Sequence, residues 1–134
     1  MRIDLLVLAL VVTVYKSPLC QCCSHWVDRM RAAGFHVETV DVDNPGALQT
    51  IKRDHGITAS LSSCHTATVG GYVIEGHVPP EDVQRLLREH PAGVTGLAAP
   101  GMPAGSPGME TSAAPDHYDV LALHASGTTV YDHR

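Results

Sequence analysis

Cys20, Cys22 and Cys23 lie within four consecutive positions, and a fourth thiol stands at Cys64. Three sulfurs so close together cannot staple distant parts of a small fold, so the cluster signals redox or metal chemistry rather than a disulfide framework. Cys20 and Cys23 have the C-x-x-C spacing of a redox dithiol, with Cys20 the attacking thiolate and Cys23 the resolving thiol. Cys22 exceeds what such a dithiol needs. A soft metal ion gains a ligand from it, and bridging thiolates can hold more than one ion. Zinc would also accept four thiolates, although its usual structural spacing is two separated C-x-x-C pairs. Inert cysteines used as small apolar residues rarely gather at an exposed helix start.

The surrounding pattern must place these sulfurs. Leu5 to Tyr15 is an apolar run, read as a buried strand in its β-branched part from Val11 to Tyr15. It is well short of the roughly 20 residues of a membrane-spanning helix, and it lacks the basic start and A-x-A site of a signal peptide. Cys20 to Ala33 reads as a helix with Trp26, Val27 and Met30 on one face, stopped by Gly34. The C-x-C-C loop therefore sits at the positive end of a helix dipole, which favours thiolate. Phe35 to Val42 is a second strand, and Asn44 caps a second helix that begins at Pro45 and ends at Gly56. Thr66–Val69 and Tyr72–Glu75 flank a Gly70-Gly71 hairpin turn. Pro79-Pro80-Glu81-Asp82 opens a third helix, along which Val83, Leu86, Leu87 and His90 repeat at helical spacing. The order βαβαββα is that of a thioredoxin-like α/β three-layer sandwich. Ala92 to Pro115 is rich in Gly, Pro, Ala, Ser and Met and reads as loop, followed by a C-terminal hairpin of Tyr118–Leu123 and Thr128–Tyr131. Residues 1–91 thus form the thioredoxin-like part and 92–134 an extension, together one compact unit.

In thioredoxin-like folds a cis-proline usually precedes the third strand and faces the active-site loop. No proline occurs between Pro45 and Pro79, so Cys64, in Ser63-Cys64-His65-Thr66, takes that place and should point at the other three thiols. A lone cysteine filling the core is the opposing reading, weakened by the neighbouring His65. Of the nine histidines, His65 ranks first as a ligand, His77 after the fourth strand second, and His25 on the first helix third. His36, His55, His90, His117, His124 and His133 read as solvated. Met102 and Met109 stand in a loop too rich in Gly and Pro to bury them in an element, and thioethers suit Cu(I) better than zinc. Trp26 and Tyr15 read as core or as a shield for the cluster.

Nine Lys and Arg against 14 Asp and Glu give a net charge of −5, with no basic block, so nucleic acid is not an expected partner. A chain of 134 residues, 44% hydrophobic and with 12 Gly and 9 Pro, is one domain's worth of globular sequence with loop-rich stretches.

Val14-Tyr15-Lys16-Ser17-Pro18 followed by the C-x-C-C motif and Trp26, then SCHT at Ser63 to Thr66, GYVIEGHVP at Gly71 to Pro79 and PGMPAGSPGME at Pro100 to Glu110, resemble the CopG-type copper oxidoreductases. These blocks run in the same order over nearly the whole chain. The resemblance implies a thioredoxin-like domain with a metal-binding C-terminal extension, found in the bacterial envelope among copper-resistance proteins. It also implies cysteine-bridged copper, more than one ion, interconverting Cu(I) and Cu(II) beside the C-x-C-C loop. Gln21 stands where relatives commonly carry Gly; it removes no ligand. Joined with the residue reading, the expected metal set is Cys20, Cys22, Cys23, Cys64, His65, His77, Met102 and Met109, with Cys20 and Cys23 the catalytic pair. Expected partners are copper ions, a copper exporter or chaperone and a redox partner, on a monomer placed in the periplasm by the resemblance; without a clear signal peptide, a cytoplasmic place stays open. Three readings stand at this point: a copper oxidoreductase, a Cu(I) sequestration or delivery protein, and a metal-free thiol-disulfide oxidoreductase.

Overall fold

The computed structural model describes residues 10–134. The part of the expected Leu5–Tyr15 strand before residue 10 lies outside them. Strand β1 (Val11–Lys16) turns Val12, Val14 and Lys16 inward in strict alternation, as β-branched residues on a pleated surface do. Helix α1 (Gln21–Ala32) starts one residue later than the pattern predicts, because Cys20 is its cap: the sulfur accepts the Cys23 amide at 3.3 Å. Gly34, at φ +99°, ends the turn beyond it. After β2 (His36–Asp41), Asn44 caps α2 (Pro45–Asp54) by accepting from the Gly46 and Ala47 amides, with Pro45 in the first turn. β3 (Thr66–Val69) and β4 (Tyr72–Gly76) form the expected hairpin, its Gly70 and Gly71 both at positive φ. α3 (Pro80–Glu89) carries Val83 and Leu86 inward, but His90 is not its fourth apolar position. His90 is instead an exposed left-handed cap at φ 45°.

One expectation fails. Within the stretch from Ala92 to Pro115 read as loop, Gly96–Ala99 forms β5, buried at all four positions and paired parallel to β4. Its residues have no strand propensity of their own; tertiary packing overrides it. At Gly96 a Cβ would lie 2.0 Å from the Val73 carbonyl oxygen, so only glycine permits this approach. β5 then pairs with β6 (Asp119–His124), and β6 with β7 (Gly127–His133), so the predicted C-terminal hairpin joins the same sheet.

The result is one seven-stranded mixed sheet in the order β2-β1-β3-β4-β5-β6-β7. Its β2-β1-β3-β4 part, with β1 and β2 parallel and β3 and β4 antiparallel, is the expected βαβαββα unit. The main core lies between the sheet and helices α1 and α3: Trp26, Val27, Met30, Val83 and Leu86 meet Val12, Val14, Ala67, Ile74 and Leu97. The opposite face holds a smaller cluster of Ile57, Val73, Ala98 and Leu123, together with Lys52 of α2 against Glu75. No helix among the described residues is long and apolar enough to cross a membrane.

Candidate metal centre

Four elements converge where α1 begins. The turn after β1 is fixed by Ser17, whose hydroxyl accepts the Leu19 amide and whose carbonyl accepts the Cys20 amide at 3.1 Å. It presents Cys20, Cys22 and Cys23 on the first turn of α1. Cys64 comes from the segment entering β3, and all four sulfurs lie within 4.8 Å of one another. Cys22 Sγ is 3.4 Å from Cys20 Sγ and 3.8 Å from Cys64 Sγ. Cys64 thus faces the C-x-C-C loop as predicted. Cys20 and Cys23 are joined as a disulfide, with Cα atoms 5.3 Å apart, while Cys22 and Cys64 are free thiols. The Cα separation is in the ordinary range for a disulfide.

Two imidazoles continue the cluster beyond Cys64. His65 Nδ1 lies 3.4 Å from Cys64 Sγ and His77 Nε2 3.0 Å from it, and the three groups form a second close set. His77 reaches this point because Gly76 has φ +76°; regular alternation would have put it on the face of Glu75. A Cβ on Gly76 would also sit 2.6 Å from the Ser63 Cβ, so this glycine lets the Cys64 segment close against β4. The tautomer of His77 is fixed: Nδ1 lies 2.7 Å from the Pro107 carbonyl, which can only accept, so Nδ1 carries the proton and Nε2 offers its lone pair to Cys64.

Burial controls the charge here. It pushes the Cys64 thiol up to about 11, with the neighbouring Cys22 adding to the rise. It also holds His65 well below the usual imidazole range, the more so because a second positive charge beside His77 or Lys52 would be repelled, and it lowers His77. Without metal, then, Cys64 is a protonated thiol and both rings are neutral at pH 7, so metal binding at Cys64 must release a proton. His65 Nε2 is the one buried side-chain nitrogen or oxygen among the described residues with no hydrogen-bond partner. A buried polar atom left without a partner is uncommon and points to a role that the folded chain alone does not satisfy. Sulfur and imidazole donors suit soft and borderline ions, and among them copper and zinc.

The loop before β6 closes one side. Gly108, at φ +89°, packs so tightly that a Cβ would sit 2.8 Å from both the Cys22 carbonyl oxygen and the Trp26 amide nitrogen. Glu110 fastens this loop by accepting from the Gly108 amide at 2.8 Å and from Arg29 of α1 at 2.9 Å. Trp26 is fully buried, its indole N–H donating to the Val78 carbonyl and its ring 4.6 Å from that of His65, so it is both core and shield. Tyr15 is half-buried beside β3. Met109 follows Gly108 and is half-buried, whereas Met102 is 55% exposed. His25 is exposed and is not among the gathered side chains. His36, His55, His90, His117 and His133 are exposed, and His124 is half-buried against Thr129. The sequence reading missed Pro107, Gly108 and the Arg29–Glu110 pair, which act through a carbonyl, a missing side chain and a long-range contact.

A family described as "Protein of unknown function, DUF411" matches residues 61–109, the stretch running from the Cys64 segment to Met109. Two solved structures share the whole fold. One, titled "Copper resistance protein copG- Form 1", is 36% identical with a TM-score of 0.85, over 93% of this chain and 97% of that one. The other, "Copper resistance protein copG- Form 2", is 38% identical with a TM-score of 0.83, over 92% and 97%. No curated protein sequence matches significantly.

Proposed function

We propose that this chain, which belongs to the family of the copper resistance protein CopG, binds copper at Cys20, Cys22, Cys23, Cys64, His65 and His77 and exchanges electrons with it. The carrying observation is that Cys22 and Cys64, 42 residues apart in sequence, bring their sulfurs to 3.8 Å beside the Cys20–Cys23 pair, with His77 Nε2 aimed at Cys64. Copper would supply one-electron exchange between Cu(I) and Cu(II). The chain's residues supply the rest. Reduction of the Cys20–Cys23 disulfide takes up two electrons and two protons and frees two thiols; loss of their protons makes them ligands. Cys22 and Cys64 offer sulfur in either state of that pair. The buried rings of His65 and His77, kept neutral, offer lone pairs without first shedding a proton, and Trp26 and the Pro107–Gly108 loop limit access of water. Residues 92–134 serve in this reading as a wall of the site, with Met109 and Met102 as thioether ligands at its edge. Copper resistance is the corresponding role, in the envelope, with a copper exporter or chaperone and a redox partner as partners.

A metal-free thiol-disulfide exchange by Cys20 and Cys23 is favoured by one observation, the disulfide itself at the start of α1. Sequestration of Cu(I) without turnover would use the same ligands. Metal analysis and the visible spectrum of the purified protein, with and without air, separate the three. Stoichiometric copper with an air-dependent spectrum is the expected result; copper with a spectrum indifferent to air leaves sequestration, and a colourless, copper-free protein leaves dithiol exchange.

A further inference from the structure

Behind the sulfur cluster, on the α2 face of the β3–β4 hairpin, lies a buried ion pair that the copper chemistry does not use. Lys52 of α2 is 2% exposed and Glu75 of β4 fully buried, with Nζ 2.5 Å from Oε2. Both oxygens of Glu75 are engaged: Oε1 accepts the Thr66 hydroxyl at 2.6 Å, and Oε2 accepts both Lys52 and the Ser63 backbone amide, the latter at 2.8 Å. Lys52 in turn donates to the Thr66 hydroxyl at 3.0 Å. Apolar residues of similar volume are often as stabilising as a buried ion pair, so packing alone does not account for two charges here.

Where the bonds go is informative. The β3–β4 ladder begins at the Thr66–Glu75 pair, and the Gly76 amide adds one bond to the His65 carbonyl at 3.1 Å, so Cys64 lies one position beyond the last backbone bond to β4. Ser63, the residue immediately before Cys64, is fastened on two sides: its amide to Glu75, and its hydroxyl to the Gly101 carbonyl. We infer that Lys52 and Glu75 are positioning residues for the metal centre, holding the Ser63–Cys64 segment so that the Cys64 sulfur stands within reach of Cys22 and His77. This inference rests on the copper reading for its consequence but not for its geometry.

The test uses the full chain in which Lys52→Met and Glu75→Gln are combined, so that no buried charge is left unpaired. Leu123→Ala, in the small apolar cluster on the same face, is the control for a general loss of stability. Two readouts are taken. The first is Cu(I) affinity in competition with a chromophoric chelator, expected to fall about tenfold or more, the range seen when a residue supporting a metal ligand is lost. The second needs no metal: in a Cys20→Ser/Cys23→Ser background only Cys22 and Cys64 remain as thiols, and the rate at which diamide joins them reports their alignment. That rate should fall about tenfold in the pair variant, given how steeply reaction rates depend on the placement of reacting atoms, and should hold in Leu123→Ala. Unchanged cross-linking in a folded pair variant, or an equal fall in Leu123→Ala, overturns the inference. If the unaltered chain fails to bind Cu(I), the copper reading fails and the cross-linking arm still decides this one. If the pair variant does not fold, Thr66→Val, which removes the hydroxyl joining both charges, takes its place: slower cross-linking supports the positioning role, and an unchanged rate overturns it.

Discussion

The β3–β4 hairpin carries two buried polar clusters, one against α1 and one against α2. On the α2 side every polar side-chain atom of Lys52, Glu75 and Thr66 has at least one partner within the cluster, and Glu75 also takes the Ser63 amide. On the α1 side the His65 and His77 rings are equally secluded and the Cys64 thiol is half-buried, yet His65 Nε2 has no partner and His77 Nε2 meets only a sulfur. Both clusters place polar groups where apolar ones would pack. In the reading proposed above, the first cluster positions a backbone segment and the second keeps lone pairs for a metal ion. Burial by itself does not separate a structural polar group from a functional one, whereas completeness of hydrogen bonding does.

Substitutions on the two sides should therefore act on different observables. The largest effect belongs to the sulfurs. Cys22→Ser should lower Cu(I) affinity by at least about 100-fold, beyond the 10–100-fold range of a supporting residue, because a protonated hydroxyl is a hard, poor ligand for a soft ion. Disulfide exchange by Cys20 and Cys23 should persist, and titration of both activities in the same variant checks the contrast. Equal copper affinity would show the third sulfur to be dispensable.

Next in size is Lys52→Met alone, which strands the Glu75 carboxylate in the core. Urea unfolding should show a loss of about 3–5 kcal/mol, and no similar loss is expected in Cys22→Ser. A loss below 1 kcal/mol would mean that water reaches Glu75.

His65→Leu should do the opposite. Nε2 makes no hydrogen bond and Nδ1 makes only the weak one to the Cys64 sulfur, so the metal-free protein should stay within about 1 kcal/mol of wild type, while Cu(I) affinity falls. The same variant tests the charge state. His65 and His77 both titrate lower in the folded chain than unfolded, so the unfolded state takes up protons first as pH drops below the ordinary imidazole value near 6.5. Their contribution is flat above that pH, destabilises progressively below it, and levels off once the folded-state values are passed. Comparing unfolding of wild type and His65→Leu from pH 7.5 to 5 cancels other groups, among them Asp82, which burial raises to about 7. The variant should lose less stability on acidification; equal slopes would mean that His65 protonates freely.

The smallest effect concerns the thioethers. Met109→Leu conserves volume and removes sulfur, and should weaken Cu(I) binding more than Met102→Leu, because Met102 is 55% exposed while Met109 follows the loop pressed on Cys22. Unchanged affinity in both would remove the methionines from the site.

Most of the stretch from β1 to α3 was legible because its signals are local. β-branched runs, an Asn-Pro helix start, a Gly-Gly turn and the C-x-C-C spacing each state a nearby consequence. Cys64 was placed by topology, from its position before the third strand. β5 was not legible: Gly96-Leu97-Ala98-Ala99 carries no propensity signal, and its strand exists only because β4 and β6 flank it and Gly96 permits contact with Val73. The same holds for Pro107 and Gly108, whose roles are a carbonyl and an absent Cβ, and for Lys52–Glu75, where two charges at ordinary positions become neighbours only on folding.

Copper-edge X-ray absorption of the full chain, reduced and loaded anaerobically with Cu(I), tests the central claim most directly. Copper bound by the gathered cysteines and histidines predicts a first shell dominated by sulfur with a smaller nitrogen contribution, which loses sulfur in Cys64→Ser. A shell of oxygen and nitrogen alone, or one identical in Cys64→Ser, would contradict it.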